Sequence, residues 1–206
     1  MIGLNRRRTM GNTLPYDAEI EYLESDSSAY IDTKINGNNN NLRIEVYFLY
    51  SKFVAYGAVF GNYVSDSYNG TRLILSNQTN KAISCTNTIC TTVGNTIIDC
   101  SANVKHYVNA DCNRVIVDST TVTITNKSKG SENNGNICLF NRSLTNYIKR
   151  DIGLRIYDFK IYDGETLVRD FIPVRVGQVG YMYDKVSGQL FGNSGTGNFI
   201  LGNDVN

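Results

Sequence analysis

Three glutamates near the N-terminal end of the chain stand at a spacing that could support glycoside hydrolysis. They are Glu19, Glu21 and Glu24. Residues two apart share one face of a β-strand, so Glu19 and Glu21 would project together, and Glu24 would join them only through a bulge. A retaining glycosidase needs two carboxyl groups about 5–5.5 Å apart. Because the chain has no tryptophan to build a sugar-stacking cleft, the solvent-facing side of an amphipathic strand explains these carboxylates better than catalysis does.

His106 is the residue on which Ser-His-Asp chemistry would depend, since it is the only histidine. It lies in the alternating segment Val104–Val108, and no G-x-S-x-G nucleophile motif accompanies it. A lone histidine in such a strand is usually structural. We therefore predict that the chain is not an enzyme.

Metal binding is restricted by a shortage of ligands. One histidine and the absence of a C-x-x-C pair leave no set of side chains for zinc. Calcium differs because it takes carboxylate, amide and backbone oxygens. No D-x-D-x-D-G loop is present, so we predict no required cofactor and keep calcium as the metal that the sequence allows. Its candidate ligands are Asp66, Asn69, Asp118 and Asn134.

Tyrosines near polar segments are candidates for contact with a sugar. Tyr63, Tyr68 and Asn69 lie close together in the chain. A tyrosine ring can stack on a sugar while an amide hydrogen-bonds its hydroxyl groups. The alternative, which we favour, is that the rings fill gaps beneath a loop.

The first residues form an arm that lacks apolar periodicity. Residues 1–14 are assigned to this arm and residues 15–206 to one domain, because no linker-like shift in composition follows. Arg6, Arg7 and Arg8 form the only basic run, and we predict that they dock on acidic residues of a partner. An arm that stays unstructured is the alternative.

Composition and charge narrow the class of protein. The chain has 206 residues, with 14 Tyr, 18 Gly, 2 Pro and a net charge of +1. Asn, Ser and Thr supply much of its polarity, and they favour turns and strand faces over helix interiors. The balanced charge provides no electrostatic argument for nucleic acid or acidic membranes. No apolar run reaches the roughly 18 residues of a membrane span, and the arm lacks the apolar core of a signal peptide.

The five cysteines are odd in number and show no metal-binding spacing. We predict buried free thiols, which act as small apolar residues, and synthesis in a reducing compartment. Disulfides between Cys85 and Cys90 or between Cys100 and Cys112 are the alternatives that spacing cannot decide.

Apolar residues recur with a period of two, which predicts about a dozen short strands joined by turns. Ser143–Arg150 is the best candidate for a turn or short helix. The segments with the strongest strand pattern are Ala18–Tyr22, Leu42–Phe48, Arg72–Leu75, Arg114–Val117, Val122–Ile124, Ile137–Phe140 and Leu154–Ile161. Amphipathic strands without helices must bury their apolar faces against each other, so we predict an all-β fold with two antiparallel sheets.

The closing segment predicts a hairpin. Asp163-Gly164 can supply the positive-φ positions of a tight turn, with Phe159 and Ile161 sharing a face. On the partner strand, either Leu167 with Phe171 or Val168 with Ile172 would face the core. Because Pro173 lacks a donor for the ladder, we expect it at a strand end or an edge. The Gly192–Gly197 loop allows a tight reversal of the chain.

Two stretches of the chain carry a family likeness. The opening Leu14–Ser25, followed by Tyr30-Ile31-Asp32-Thr33, and the closing Arg155–Gly164, Leu167–Arg175, Gly180–Lys185, Leu190–Asn193 and Gly197–Phe199 resemble concanavalin-A/laminin-G-like proteins encoded by gut bacteriophages and prophages. Residues Tyr50–Asn136 match by pattern alone. Lys34 departs from the pattern, since relatives usually carry Gly after the Asp-Thr pair.

The resemblance implies a concanavalin-A-like (laminin-G or jelly-roll) sandwich in a structural protein of the virion. Such a protein would decorate the capsid, form a head fibre or associate with the tail, after synthesis in the host cytoplasm. It would engage other virion proteins, as an oligomer within the particle, and cell-surface carbohydrate. The alternatives are a lectin-like adhesion module without a structural role and, less favoured, a glycan hydrolase.

Overall fold

The computed structural model describes residues 14–25, 28–63, 68–89, 96–124, 129–141 and 151–205. Arg6, Arg7, Arg8, Asp66, Cys90 and the segment 143–150 lie outside the described residues, so the predictions made for them stay predictions. Within the described part every regular element is a β-strand.

Seventeen strands are described, against about a dozen predicted, because several short strands lack a clear alternation. In chain order they are β1 Ala18–Glu19, β2 Leu23–Ser25, β3 Ile31–Asn36, β4 Leu42–Tyr50, β5 Ala58–Gly61, β6 Asn69–Leu75, β7 Lys81–Ile89, β8 Thr96–Asp99, β9 His106–Ala110, β10 Arg114–Val117, β11 Thr120–Thr123, β12 Asn136–Leu139, β13 Leu154–Asp163, β14 Thr166–Val176, β15 Val179–Asp184, β16 Gln189–Phe191 and β17 Ile200–Leu201.

The strands form two antiparallel sheets, as predicted. The larger has 11 strands and the main order β11-β10-β9-β4-β13-β14-β15-β16, with β1 on β14 and with β2 joining β13 to β17. The smaller sheet has six strands in the order β3-β12-β5-β6-β7-β8. Long β4 and β13 therefore lie at the centre of the larger sheet, paired along their length.

One hydrophobic core lies between the sheets. It takes Val46 and Phe159 from the larger sheet and Phe60 and Leu73 from the smaller one, each at most 1% exposed. The rings of Phe60 and Phe159 meet edge to face with centroids 5.4 Å apart. Apolar burial of this kind contributes about 25 cal/mol per Å², so the core is what holds the two sheets together.

The predicted hairpin is confirmed, but of the predicted Asp163-Gly164 pair only Gly164 takes a positive φ, because Asp163 is still part of the ladder. Strands β13 and β14 pair up to Asp163 opposite Thr166, and Gly164 has a φ of 59°. Neither predicted inward pair is correct, however, because the register shifts between Ile161 and Tyr162. An extra residue in one strand of a ladder reverses the alternation. As a result Phe171 is fully buried and Val168, three residues earlier, also packs against the core.

The prediction for Pro173 is wrong. It lies inside β14, opposite Met182 of β15. The Pro173 carbonyl oxygen accepts a hydrogen bond from the Ile20 amide at 3.0 Å. In a β-strand the nitrogen and the carbonyl oxygen of one residue point to the same side, so the Pro173 nitrogen also points toward Ile20. On that side the neighbour of β14 changes from β13 to β1, so the missing donor falls at a break in the ladder.

The Gly192–Gly197 loop reverses the chain, as predicted, and packs on an earlier segment. Its Ser194 amide donates to the Tyr30 carbonyl at 2.8 Å, and its Thr196 amide donates to the Ser28 carbonyl at 3.0 Å. A Cβ atom on Gly195 would collide with that Ser28 carbonyl oxygen. The loop therefore needs glycine because two backbones approach closely.

Lys34 adopts a φ of 60°, in the left-handed region that glycine takes without steric cost. Lys34 is also the residue that differs from the sequence pattern described above, in which glycine follows the Asp-Thr pair. The Asp32 carboxylate accepts from both the Lys34 backbone amide at 2.9 Å and its ammonium group at 2.5 Å. A glycine here would relieve backbone strain, and the aspartate offsets part of that strain in this chain.

The cysteine prediction is partly wrong. Cys100 and Cys138 are buried free thiols, and half-buried Cys112 is also free, which excludes the Cys100–Cys112 disulfide. Cys85 is disulfide-bonded. Spacing could not decide the outcome because a bridge depends on the distance and direction between Cα–Cβ bonds.

No helix long and apolar enough to cross a membrane occurs in the part of the chain that the structure describes.

Candidate functional site

The three glutamates do not share one strand face. Strand β1 ends at Glu19 and β2 begins at Leu23, so Ala18–Tyr22 is not the continuous strand that was predicted. Glu19 accepts a hydrogen bond from the Tyr16 hydroxyl at 2.9 Å, and Glu21 accepts one from the Asn203 amide at 3.1 Å. The third, Glu24, pairs with Arg155. Each carboxylate thus has its own neighbour.

His106 is buried and both of its ring nitrogens have hydrogen-bonding partners. It is 5% exposed in β9. Its Nδ1 lies 2.9 Å from the Asp118 carboxylate, and its Nε2 lies 3.0 Å from the backbone oxygen of Ser101. The Asp118 carboxylate also accepts from the Tyr107 amide. These contacts join β9 to the turn after β10 and to the segment before β9.

The predicted sugar contacts lie by the smaller sheet and are partly covered. The Tyr63 ring lies beside the buried guanidinium of Arg72, whose Cζ is 4.4 Å from the ring centroid. Asn69 is 6% exposed, and its side-chain oxygen accepts from the Gly130 amide at 2.8 Å. Tyr68 is 38% exposed. Of the three, Tyr68 is the side chain with substantial solvent access.

The described calcium candidates do not converge. Asn69 and Asp118 are engaged in the contacts given above, and Asn134 is exposed in the segment before β12. No group of three or more His, Cys, Asp or Glu side chains positioned for a metal occurs among the described residues. Calcium stays a prediction.

A different site lies on the solvent face of the larger sheet, which sequence reasoning missed. It is an open cleft of about 560 Å³, within the range typical of ligand sites. We call it the tyrosine cleft. Its lining residues are Glu21, Tyr22, Lys105, Arg155, Tyr157 and Asn203.

A bulge in β13 positions the central ring of the cleft. Strand β13 pairs with β4 through Ile156 opposite Phe48 and then Asp158 opposite Tyr47, so Tyr157 is the extra residue. Bulges re-aim side chains. The Tyr157 ring meets the Tyr22 ring edge to face, with centroids 5.6 Å apart.

Two cations frame these rings. Arg155 lies directly opposite Glu24 in the β13–β2 ladder, and its Nε donates to the Glu24 carboxylate at 2.6 Å. That hydrogen bond is the main reason why the pKa of Arg155 is raised. The guanidinium Cζ also lies 4.4 Å from the centroid of Tyr22. Arg155 is therefore held in place by both a carboxylate and a ring.

Lys105 is the second cation, and it differs from Arg155 in being exposed. Its ammonium nitrogen lies 4.0 Å from the centroid of Tyr157 and 5.2 Å from that of Tyr47. It forms no ion pair with any described side chain. Burial raises the pKa of the nearby Asp158 carboxyl, and the charges of Lys160 and Lys105 act against that rise.

The chemistry of the cleft is that of recognition. Two aromatic rings lie beside donors from Lys105 and Arg155 and beside acceptors from Glu21 and Asn203. The sequence signal was weak because the six residues come from four separate segments and Tyr22 and Lys105 lie outside strands. Tyr47 and Tyr157, which alternate with apolar residues in β4 and β13, were the available sequence signal.

No protein-family model matches the chain, and a search of curated proteins finds no significant match. Function must therefore be argued from the site itself.

Proposed function

We propose that the chain is a non-enzymatic sandwich module of the concanavalin-A/laminin-G type, carried on a bacteriophage particle, that binds host glycans. The observation that carries the glycan role is the tyrosine cleft. The resemblance of the opening and closing segments supports the particle role and the specific sandwich type.

The cleft suits a sugar because a pyranose has an apolar C–H face and a rim of hydroxyl groups. Tyr157 and Tyr22 offer ring surface with a polar tip. Hydroxyls both donate and accept, and the cleft supplies acceptors at Glu21 and Asn203 and donors at Lys105 and Arg155. An exposed cation–π contact contributes about 0.5–1 kcal/mol, so a ligand can displace the Lys105 ammonium from the ring and hydrogen-bond to it.

The glycan role is tested on an array of immobilised glycans, with and without calcium. We expect binding that does not require calcium, since the cleft itself offers donors and acceptors. Lys105→Ala should weaken the signal, while Lys185→Ala, which removes a cation at the β15–β16 turn, should not. A blank array under both conditions would contradict the proposal.

The particle role is tested by a mass-spectrometric inventory of purified virions. We expect the chain at a fixed ratio to the major capsid or tail proteins, with other virion proteins as its partners and an oligomer as its assembled form. Finding the chain in the lysate and not in purified particles would remove the structural role.

A lectin-like adhesion module without a structural role is the second candidate, and the same cleft favours it. Glycan binding together with absence from virions would select it.

A glycan hydrolase is the weakest alternative, because Glu19, Glu21 and Glu24 each contact a different group. Release of reducing sugar that is lost in both Glu19→Gln and Glu21→Gln would be needed to revive it.

A further inference from the structure

We infer that the tyrosine cleft is one end of a longer binding surface that accepts an extended oligosaccharide of several sugar units lying across the strands. This inference rests on the proposed glycan role and adds a second subsite, formed by Tyr47 and Tyr107.

The second subsite is a pair of neighbouring rings on the same solvent face. Tyr47 in β4 lies directly opposite Tyr107 in β9. Their ring centroids are 4.7 Å apart with a tilt of 36°. Tyr47 is 38% exposed, a large fraction for an aromatic side chain inside a central strand. Burial raises the pKa of the half-buried Tyr107, so its hydroxyl stays protonated and can donate.

Lys105 connects the two subsites. Its ammonium group lies within cation–π distance of Tyr47 on one side and of Tyr157 on the other. The rings of Tyr107, Tyr47, Tyr157 and Tyr22 therefore form a row that runs from β9 across β4 and β13 to the β1–β2 connection. We call this set the tyrosine row.

The length of the row suits more than one sugar. Neighbouring strands lie about 4.8 Å apart, so a row that crosses from β9 to the β1–β2 connection is about 15 Å long. The ring centroids of Tyr47 and Tyr107 are 4.7 Å apart and those of Tyr157 and Tyr22 are 5.6 Å apart, so the row offers about one aromatic ring for each sugar ring. Three or four units would then lie along the row, with one terminal unit in the cleft and another against Tyr47 and Tyr107.

The charges near the row favour a neutral oligosaccharide. Arg155 is paired with Glu24. The charge of Lys105, which has no ion-pair partner among the described residues, is offset by Glu21 in the same cleft and by the Asp158 carboxylate, with which Lys105 interacts electrostatically. An oligosaccharide with a carboxylate on every unit would be attracted by one cation, Lys105, and would be repelled by these acidic groups.

The experiment uses the full chain and immobilised neutral homologous series of one to six units, built from glucose, mannose, galactose or N-acetylglucosamine. We expect that in at least one series the affinity rises at least about tenfold between one and four units and then levels off. Tyr107→Ala should reduce the ratio between four-unit and one-unit affinities to less than about threefold.

The ratio of four-unit to one-unit affinity distinguishes loss of a subsite from loss of folded protein, because a smaller folded fraction weakens both affinities equally. Tyr107→Val retains a strand-forming residue if the alanine variant does not fold, and it should reduce the ratio in the same way. The matched control is Tyr181→Ala, a half-buried tyrosine of β15 outside the row, which should keep the wild-type ratio.

The outcomes are distinguishable. Binding with no dependence on length, or a dependence that both Tyr107 variants retain, overturns the extended surface and leaves the proposed glycan role intact. A blank array in every series overturns both, and the solvent-facing tyrosines of the row together with Arg155 would then point to a protein partner. Stronger binding of uronic-acid series than of neutral ones overturns the neutral ligand class.

Discussion

The central strands of the two sheets differ in how much of their surface is buried. All seven residues of β6 in the smaller sheet are buried. In β4 of the larger sheet, buried residues alternate with partly or fully exposed ones. The two strands lie on opposite sides of the same core, and among the described residues β4 presents side chains to solvent on its outer face whereas β6 does not. The tyrosine row uses that face.

The same difference bears on the sugar contacts predicted at Tyr63, Tyr68 and Asn69, of which Asn69 is buried and Tyr68 is 38% exposed. They border β6, where Asn69 is buried and Tyr63 lies beside Arg72. Tyr47 of β4 and Tyr157 of β13 are at strand positions that alternate away from the core, whereas Tyr50 of β4 is buried in it. Aromatic residues in these strands thus face either the core or the solvent side of the sheet, and the burial of each sheet face decides which.

The largest expected effect is on the core side of β13. Phe159 is fully buried against Phe60, so Phe159→Ala should lower the free energy of unfolding by about 3–5 kcal/mol. Tyr157→Ala, two residues away on the solvent face, should cost less than about 1.5 kcal/mol. Urea unfolding followed by circular dichroism measures both. Equal losses of unfolding free energy in the two variants would mean that Tyr157 is packed in the protein interior and does not face solvent.

Thiol labelling gives a second comparison, between two buried cysteines and a half-buried one. Burial raises the pKa of Cys138 in the smaller sheet, and of Cys100 in the core, to about 12. At pH 8, well below that value, fewer than about one in a thousand of these thiols is ionised. Half-buried Cys112 follows β9 at the edge region of the larger sheet.

We expect iodoacetamide at pH 8 to modify Cys112 at least about tenfold faster than Cys100 or Cys138 in the folded protein. Peptide mass spectrometry over time measures the three rates. Denatured protein serves as the control, since all three should then react alike. Rapid labelling of Cys138 in folded protein would show that the smaller sheet is more open than described.

Glycan binding should separate the two sheets directly. Tyr157→Ala removes a ring of the cleft and should weaken binding at least tenfold, or about 1.4 kcal/mol. Tyr68→Ala removes the same type of side chain beside the smaller sheet and should leave the affinity for the glycan within about twofold of the wild-type value. The measurement is titration of the best glycan from the array. The reverse ranking would move the site to Tyr63 and Tyr68.

The smallest expected effect concerns Lys34 at its positive φ. Lys34→Gly should raise the free energy of unfolding by up to about 1 kcal/mol, because relief of left-handed strain outweighs the greater flexibility of the unfolded chain. Lys34→Ala keeps the strain and removes the contact with Asp32, so it should lower stability slightly. Urea midpoints compare the two. A glycine variant less stable than the alanine variant would contradict this explanation.

Much of the fold could be predicted because alternation is a local property. Arg114–Val117 is a strand with the predicted bounds, and Leu42–Phe48 lies within β4. The turn at Asp163-Gly164 could be predicted because glycine provides the positive φ that a short hairpin loop requires. The same reasoning failed at Val168 and Pro173, where a bulge and a change of neighbouring strand depend on pairing.

The sequence by itself therefore determined the class of fold, two antiparallel sheets without a described helix, since period-two burial leaves few other ways to cover apolar faces. Only the tertiary structure decided where the tyrosine cleft lies. Tyr22, Lys105 and Tyr157 are distant in the chain, and they meet because β2, β13, β4 and β9 are neighbours and a bulge turns one ring toward the others. Local pattern cannot specify neighbours, because strand order depends on how the whole chain buries its core.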